Sequence, residues 1–192
     1  MHALPAAAPA PPRRQVLVGT ALAGVVTLML IGGMLAVWSV MRARAVDAGE
    51  PWLPEGIVIP EVATTVMLIG LFALLVFAQW AVYAAHRDDR VNTALALGLV
   101  AFMAVAVINA QAFVYNQMEI PVAEGAYPGM FYAVTGTMTA LFVIGVVFTA
   151  VTAFRVLGGR LTDHELVAAH ALYWYILTTA FCAVWFVVYV TK

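Results

Sequence analysis

Five long apolar runs without Asp, Glu, Lys or Arg constrain this chain more than any other feature of its sequence. They cover roughly residues 16–41, 62–85, 91–115, 128–154 and 166–190. A hydrocarbon core about 30 Å thick is crossed by around 20 residues of α-helix, so each run can span a bilayer. The runs lack the alternation of barrel strands, and helices satisfy their own backbone hydrogen bonds in lipid. The sequence therefore predicts an all-α, polytopic membrane protein, a bundle of five transmembrane helices.

Composition supports lipid as the solvent for most of this surface. Hydrophobic residues make up 65% of the 192 residues and charged residues only 10%, whereas soluble domains are nearer half apolar and a quarter charged. A soluble chain of this length could not bury so much apolar surface in one core. The Pro- and Ala-rich residues 1–15 predict a disordered tail, followed by one transmembrane domain over residues 16–192.

The placement of Lys and Arg predicts the orientation of the bundle. Six of these residues fall on the side of the N-terminus: Arg13, Arg14, Arg87, Arg90, Arg155 and Arg160. Three fall on the other side: Arg42, Arg44 and Lys192. Because cytoplasmic loops are enriched in basic residues, we expect a cytoplasmic N-terminus and a C-terminus outside. The predicted location is the inner or plasma membrane of a cell, with multiple passes.

The titratable residues offer neither a catalytic nor a metal site. No carboxylate lies within the apolar runs, and no nucleophile–base pair stands at membrane depth. Only one of the four histidines, His170, enters a run, where we interpret it as a hydrogen-bonding residue at the membrane boundary. Cys182 is the single cysteine and excludes an internal disulfide. A net charge of -1 provides no basic field for nucleic acid.

Polar side chains inside the runs leave two interpretations open. Asn109, Gln111, Thr135 and Thr137 either bond neighbouring helices or line the path of an independent channel or small-solute carrier. Carriers often carry broken helices and internal repeats, and neither is visible here. The interhelical interpretation is therefore the more economical one.

Small residues and polar turns predict local features. Gly24 and the pair Gly32-Gly33 would let helix backbones approach closely. Residues 86–90 read as a tight polar turn between the second and third runs. Thr162 with Glu165 three positions on reads as a capping box that begins the fifth helix.

One stretch carries a resemblance to a known family. Residues 111–136 read QAFVYNQMEIPVAEGAYPGMFYAVTG. This resembles the Gln-Ala-x-Glu-Tyr, Gly-x-Tyr-Gly and Thr-Gly motifs of subunit III of haem-copper oxidases. The matching positions are Gln111, Ala112, Tyr115, Gly125, Tyr127, Phe131, Thr135 and Gly136. The pair Tyr173-Trp174 and the basic turn at residues 87–90 are also similar. The resemblance covers nearly the whole chain after the tail, in a short five-helix form without two N-terminal helices of longer members.

Most polar hallmarks of that family are replaced here. The family's membrane glutamate in the first of these helices falls on Thr27, and its glutamate after Gln-Ala-x falls on Val114. Its two histidines after Thr-Gly, and its histidine and aspartate after Tyr-Trp, fall on Met138, Leu141, Tyr175 and Thr178. The chain resembles a divergent member.

The resemblance implies a non-catalytic, cofactor-free accessory subunit of a haem-copper terminal oxidase in aerobic respiration. Its implied partners are the haem-bearing catalytic subunit, on which it packs, other subunits of the respiratory complex, and membrane lipid. Haem and copper are expected in the partner subunits. The residues implied in lipid or subunit contact are Gln111, Tyr115, Tyr127, Gly136, Tyr173 and Trp174. An equivalent accessory subunit of a nitric oxide reductase is the alternative.

Overall fold

The computed structural model describes residues 14–120, 125–159 and 164–191, and within these ranges the regular elements are all helical. In chain order they are α1 (Gln15–Asp47), α2 (Glu61–Ala85), α3 (Arg90–Met118), α4 (Ala126–Leu157) and α5 (His164–Val184). A π-helix, Trp185–Val190, continues α5. Five helices are long and apolar enough to cross a membrane. The predicted fold class is thereby confirmed, while the predicted orientation stays a prediction.

The helices extend beyond the apolar runs. The first run ends at residue 41, but α1 continues to Asp47. Its 33 residues give a length of about 50 Å, well beyond the hydrocarbon thickness. Gln15, assigned to the tail, already begins α1, and residues 1–13 lie outside the described part of the chain. The apolar pattern marks the stretch that lipid can bury, whereas the backbone ladder continues into the polar boundary.

Helix α5 lies at the centre of the bundle. It packs against α1, α2 and α4, while α2 packs on α3 and α3 packs on α4. The largest side chains buried completely belong to three helices, α1, α4 and α5, and they are Trp38, Phe131, Phe142, Trp174 and Phe181. These aromatic side chains bury the most apolar area per residue. The core therefore runs the length of α5.

Helix α1 touches the bundle along one narrow stripe. Its buried residues follow the three- and four-residue spacing of one helix face: Gly24, Thr27, Ile31, Leu35 and Trp38. A Cβ added to Gly24 would collide with the side chain of Ile176 on α5, so the predicted close approach occurs there. Among the described residues, Gly32 and Gly33 have no neighbour within 4 Å of an added Cβ, so the predicted close approach is not seen at that pair.

The tight turn between α2 and α3 forms as predicted. Asp88 adopts a left-handed conformation with φ 56°, which Asp tolerates better than most residues. Asp89 then caps α3, because its carboxylate accepts a hydrogen bond from the backbone N–H of Asn92 at 3.0 Å. The backbone and side-chain amides of Asn92 hold the pKa of Asp89 below its usual value.

Glu165 caps the first turn of α1, while its predicted role at the beginning of α5 stays a prediction. Thr162, its expected partner in a capping box, lies outside the described residues. The Glu165 Oε1 atom accepts a hydrogen bond from the backbone N–H of Leu17 at 3.0 Å. That N–H belongs to the first turn of α1, whose amides have no partner within their own helix. A carboxylate from α5 therefore joins the beginnings of α1 and α5.

Candidate functional site

Two buried polar clusters contain most of the residues singled out from the sequence. The first lies where α4 meets α5 and is built around Trp174, which is fully buried. Its indole Nε1 lies 3.1 Å from the hydroxyl of Thr149 and 3.1 Å from His170 Nε2. Thr149 and His170 are themselves 2.8 Å apart. We call these three residues the histidine cluster.

One proton arrangement satisfies nearly every group of the histidine cluster. The Thr149 hydroxyl donates to the carbonyl oxygen of Gly145 at 2.8 Å. Its oxygen then accepts from Trp174 Nε1–H and from His170 Nε2–H, if the imidazole is neutral and protonated at Nε2. Only the His170 Nδ1 lone pair is left without a partner in the described part. An orphaned acceptor is easier to tolerate than an orphaned N–H, so this tautomer is favoured.

Close packing fixes the position of Trp174. A Cβ added to Gly145 on α4 would lie 2.7 Å from Trp174 Cζ2. Phe142 stacks on the same indole with ring centroids 6.3 Å apart and an interplanar angle of 16°. Next along α5, the Tyr173 hydroxyl donates to the carbonyl oxygen of Leu141 at 2.9 Å. Both predicted residues of α5 thus hold α4 against α5.

The second cluster lies at the opposite end of the bundle and joins α3, α4 and the π-helix. The Tyr189 hydroxyl donates to Gln111 Oε1 at 3.2 Å, and Gln111 is 2% exposed. The Tyr115 hydroxyl donates to the Thr135 hydroxyl oxygen at 2.9 Å. Thr135 in turn donates to the carbonyl oxygen of Phe131. We call Gln111, Tyr115, Thr135 and Tyr189 the tyrosine cluster.

Aromatic rings extend the tyrosine cluster toward α1. Trp38, Trp52 and Tyr127 contact one another with ring centroids 5.2 to 5.5 Å apart, and Tyr127 also stacks on Phe131. The two indole N–H groups and the Tyr127 hydroxyl have no partner among the described residues. Buried donors of this kind are commonly met by internal water. The ring contacts attach the loop between α1 and α2 to the core.

Gly136, the remaining predicted contact residue, differs from the other five. A Cβ added there would have no heavy atom within 4 Å. Gly136 is also partly exposed. The other five residues bond or pack between helices of this chain, so their contact with lipid or another subunit stays a prediction.

The four residues considered for a channel do not share one path. Asn109 is exposed on the outside of α3, whereas Gln111 and Thr135 are buried. Gln111 and Thr135 are also engaged in hydrogen bonds between helices. The interhelical interpretation is therefore the better one for these two residues.

His164, at the beginning of α5, contacts the turn between α2 and α3. The rings of His164 and His86 lie 5.2 Å apart, and His164 Nε2 is 3.3 Å from the Asp88 carboxylate. His170, interpreted as a hydrogen-bonding residue at the membrane boundary, is fully buried and bonded within the histidine cluster, while its depth in the membrane stays a prediction. In the described ranges, no group of three or more His, Cys, Asp or Glu side chains is placed to hold a metal ion.

Sequence reasoning missed two residues that matter here. Thr149 bonds both His170 and Trp174, and Trp38 reaches the second cluster from α1. One feature of the sequence indicated the histidine cluster: His170 and Trp174 are four residues apart, so they share a helix face. A threonine four residues after a glycine, as in Gly145 and Thr149, is another pattern typical of helix contacts in membranes.

Positions that are polar in the resembling family lie mainly in the core here. Val114 and Met138 are buried among apolar side chains. Thr27 and Thr178 are buried as well, and the Thr27 hydroxyl donates back to the carbonyl oxygen of Ala23. Tyr175 is the exception, because its side chain is exposed. Apolar side chains thus replace the polar groups at three of the six positions, and a hydroxyl remains at the other three.

Comparison with known proteins relates this chain to one family. The profile of the family described as "Cytochrome c oxidase subunit III" matches residues 17–192. Cytochrome c oxidase subunit 3 of Rhizopus stolonifer is 28% identical over 151 residues, covering 77% of this chain and 53% of that protein. The Xenopus laevis protein of the same name is 27% identical over 168 residues, covering 84% and 62%.

A bacterial relative agrees with these matches. The probable cytochrome c oxidase subunit 3 of Rickettsia bellii is 30% identical over 97 residues, covering 50% of this chain and 34% of that protein. The chain spans about half the length of the curated relatives it matches. Because the family profile matches almost the whole chain after its first residues, this chain belongs to the cytochrome c oxidase subunit III family.

Proposed function

We propose that this chain is a cofactor-free accessory subunit of a haem-copper terminal oxidase that serves aerobic respiration. It would pack on the haem-bearing catalytic subunit in the inner or plasma membrane, with haem and copper held by the partner subunits. The family match over residues 17–192 is the observation that carries this proposal. The relatives named above carry the oxidase name and none carries a nitric oxide reductase name, which favours the oxidase.

The chemistry of the interior supports an accessory role. The polar groups of the histidine and tyrosine clusters are neutral, and they bond one helix to another. Proton pumps and ion-coupled carriers place ionisable groups at mid-membrane, whereas the charged residues of this sequence fall outside the five apolar runs. The chain is thus suited to shape and support a neighbour.

The surface offers places where lipid and other subunits would bind. Apolar side chains cover most of the outer face of α1, and they include Leu22, Val26 and Met29, each more than 60% exposed. A cavity of about 1010 Å³ opens between α2, α3 and the preceding loop, and its lining is mostly apolar. Such a cavity fits acyl chains, with polar groups such as Glu61 and Gln117 at its border.

Purification through an affinity tag on this chain tests the proposal. Membranes are solubilised in mild detergent, and the subunits and absorption spectrum of the recovered complex are determined. We expect haem absorbance and a co-purified haem-bearing polypeptide. Deletion of the chain should lower oxygen consumption by the membranes or shorten its duration, while nitric oxide consumption stays unchanged. Recovery of the chain alone would overturn the proposal.

A further inference from the structure

A strip of exposed polar and aromatic side chains follows the boundary between α2 and α5. On α5 and its π-helix the exposed residues Tyr175, Thr179 and Phe186 are spaced by four and seven residues, so they share one helix face. On α2 the exposed residues Phe72 and Gln79 are seven apart and also share a face. We call these five residues the α2–α5 surface.

A hydrogen bond across the two helices marks this surface. The Tyr175 hydroxyl donates to Gln79 Oε1 at 3.3 Å, with both side chains exposed. Gln79 lies six residues before the end of α2, which is about 9 Å along the helix axis. Tyr175 lies eleven residues after the start of α5, which is about 16 Å along that axis. The Thr179 hydroxyl, one turn deeper, donates to the Tyr175 carbonyl oxygen at 2.9 Å. Polar groups therefore face outward at hydrocarbon depth.

The Gln79 side chain lies in mostly apolar and aromatic surroundings. The cavity beside it, about 480 Å³, is lined by Leu75, Val76, Gln79, Trp80, Tyr83 and Tyr175. The Gln79 Nε2 atom has no hydrogen bond within the ranges that the structure describes. Lipid tails cannot accept a hydrogen bond, whereas a neighbouring helix can.

Asn109 is the other amide exposed at depth, and its setting is different. It faces the cavity of about 1010 Å³ beside α3, whose lining also contains Glu61, Gln117 and the loop before α2. The Glu61 carboxylate and the Gln117 amide are groups that an amide can bond. Among the described residues, the lining beside Gln79 contains no carboxylate and no second amide, so Gln79 needs a protein partner more strongly.

We propose that the α2–α5 surface receives a transmembrane helix of the haem-bearing subunit, which offers an oxygen acceptor to the Gln79 amide. A backbone carbonyl, a hydroxyl or a side-chain amide would serve as that acceptor. The inference rests on the proposed function and adds which face of this chain meets the catalytic subunit. The exposed aromatic rings of the surface would then pack against that helix rather than against lipid.

Photocrosslinking in the intact complex tests the choice of face. Phe72, Phe186 and Phe102 are replaced one at a time by p-benzoylphenylalanine, a conservative change at positions 51%, 55% and 69% exposed. Phe102 lies on α3, seven residues before Asn109, and so reports on the competing face. We expect the haem-bearing subunit as the main adduct from residues 72 and 186, and lipid adducts from residue 102. Lipid adducts alone from residues 72 and 186, or equal protein adducts from residue 102, would overturn the inference.

Amide removal gives a second test that does not depend on crosslinking. In Gln79→Leu, the amount of haem that co-purifies per chain should fall after dilution in detergent, whereas Asn109→Leu should leave it unchanged. Circular dichroism of both variants reports whether the helices are retained. The opposite ranking of the two variants would overturn the inference. Wild-type chain recovered without haem would instead overturn the proposed function itself.

Discussion

Replacing Gly145 by alanine is the sharpest test of how α4 and α5 are held together. The added Cβ would lie 2.7 and 2.8 Å from two carbons of the Trp174 ring and 3.1 Å from Tyr173 Cε1. Since carbon atoms pack best at about 3.5–4.0 Å, the indole must retreat by roughly 1 Å. The hydrogen bond to Thr149 and the close contact with His170 oppose that movement. Relieving the clash therefore requires a movement of the indole ring that its own contacts resist.

The cost of this clash follows from two opposing effects. Overpacking of a well-packed core usually costs about 1–3 kcal/mol. Alanine regains up to about 1 kcal/mol, because glycine weakens a helix interior. We expect Gly145→Ala to lose about 1–2 kcal/mol of stability. For a chain of this size, that loss lowers the melting temperature by roughly 2–8 °C.

The assay compares two glycines of the same helix. Thermal unfolding of the purified complex in one detergent is followed for wild type, Gly145→Ala and Gly136→Ala. Gly136 has no neighbour within 4 Å of an added Cβ, so its alanine variant should melt at the wild-type temperature or slightly above. Equal melting temperatures for the two variants would refute the described packing of Trp174 against α4.

Three further changes probe the polar groups. Thr149→Val should cost about 1–2 kcal/mol, because it leaves Trp174 Nε1–H and His170 without their shared partner, and Thr149→Ser should restore most of it in the same melting assay. Tyr115→Phe removes the bond to Thr135 and should cost about 1 kcal/mol; no change in melting temperature would contradict that bond. Asp89→Ala should lower the melting temperature, whereas Asp89→Asn retains a capping acceptor. Folding lowers the pKa of Asp89, so its carboxylate stabilises the folded chain fully above the usual pKa of 3.8. This stabilisation is lost as the pH falls through the lower folded-state pKa. The difference in melting temperature between wild type and Asp89→Ala should therefore shrink in that pH range.

The fold was predictable because the bilayer restricts the length and the conformation of the segments that cross it. A hydrocarbon core sets the length of each apolar run, and the absence of water forces those runs to be helices. The turn before α3 was equally readable, since the polar residues 86–90 contain the Asp89 cap. Helix ends were harder to predict, because α1 and α4 continue past the apolar runs into the polar boundary. The π-helix after Val184 had no sequence signal that we can name.

The buried clusters were only partly predictable. Gln111, Tyr115 and Trp174 were singled out through the family resemblance, and each also combines a large side chain with a polar group inside an apolar run. Their partners could not be assigned, since Thr149 and Tyr189 reach them from other helices. The pairing of His164 with His86 instead of His170 likewise depends on which helix ends meet. A single sequence does not specify which helices and helix ends contact one another.

Which polypeptide carries the haem decides most directly whether this chain is an accessory subunit. The complex purified through this chain would be separated into its subunits under conditions that keep haem bound, and the absorption spectrum of each fraction recorded. We predict haem absorbance in the complex and in its largest subunit, with none in the fraction that holds this chain. Haem bound to this chain alone, or its recovery without any haem-bearing partner, would contradict that prediction.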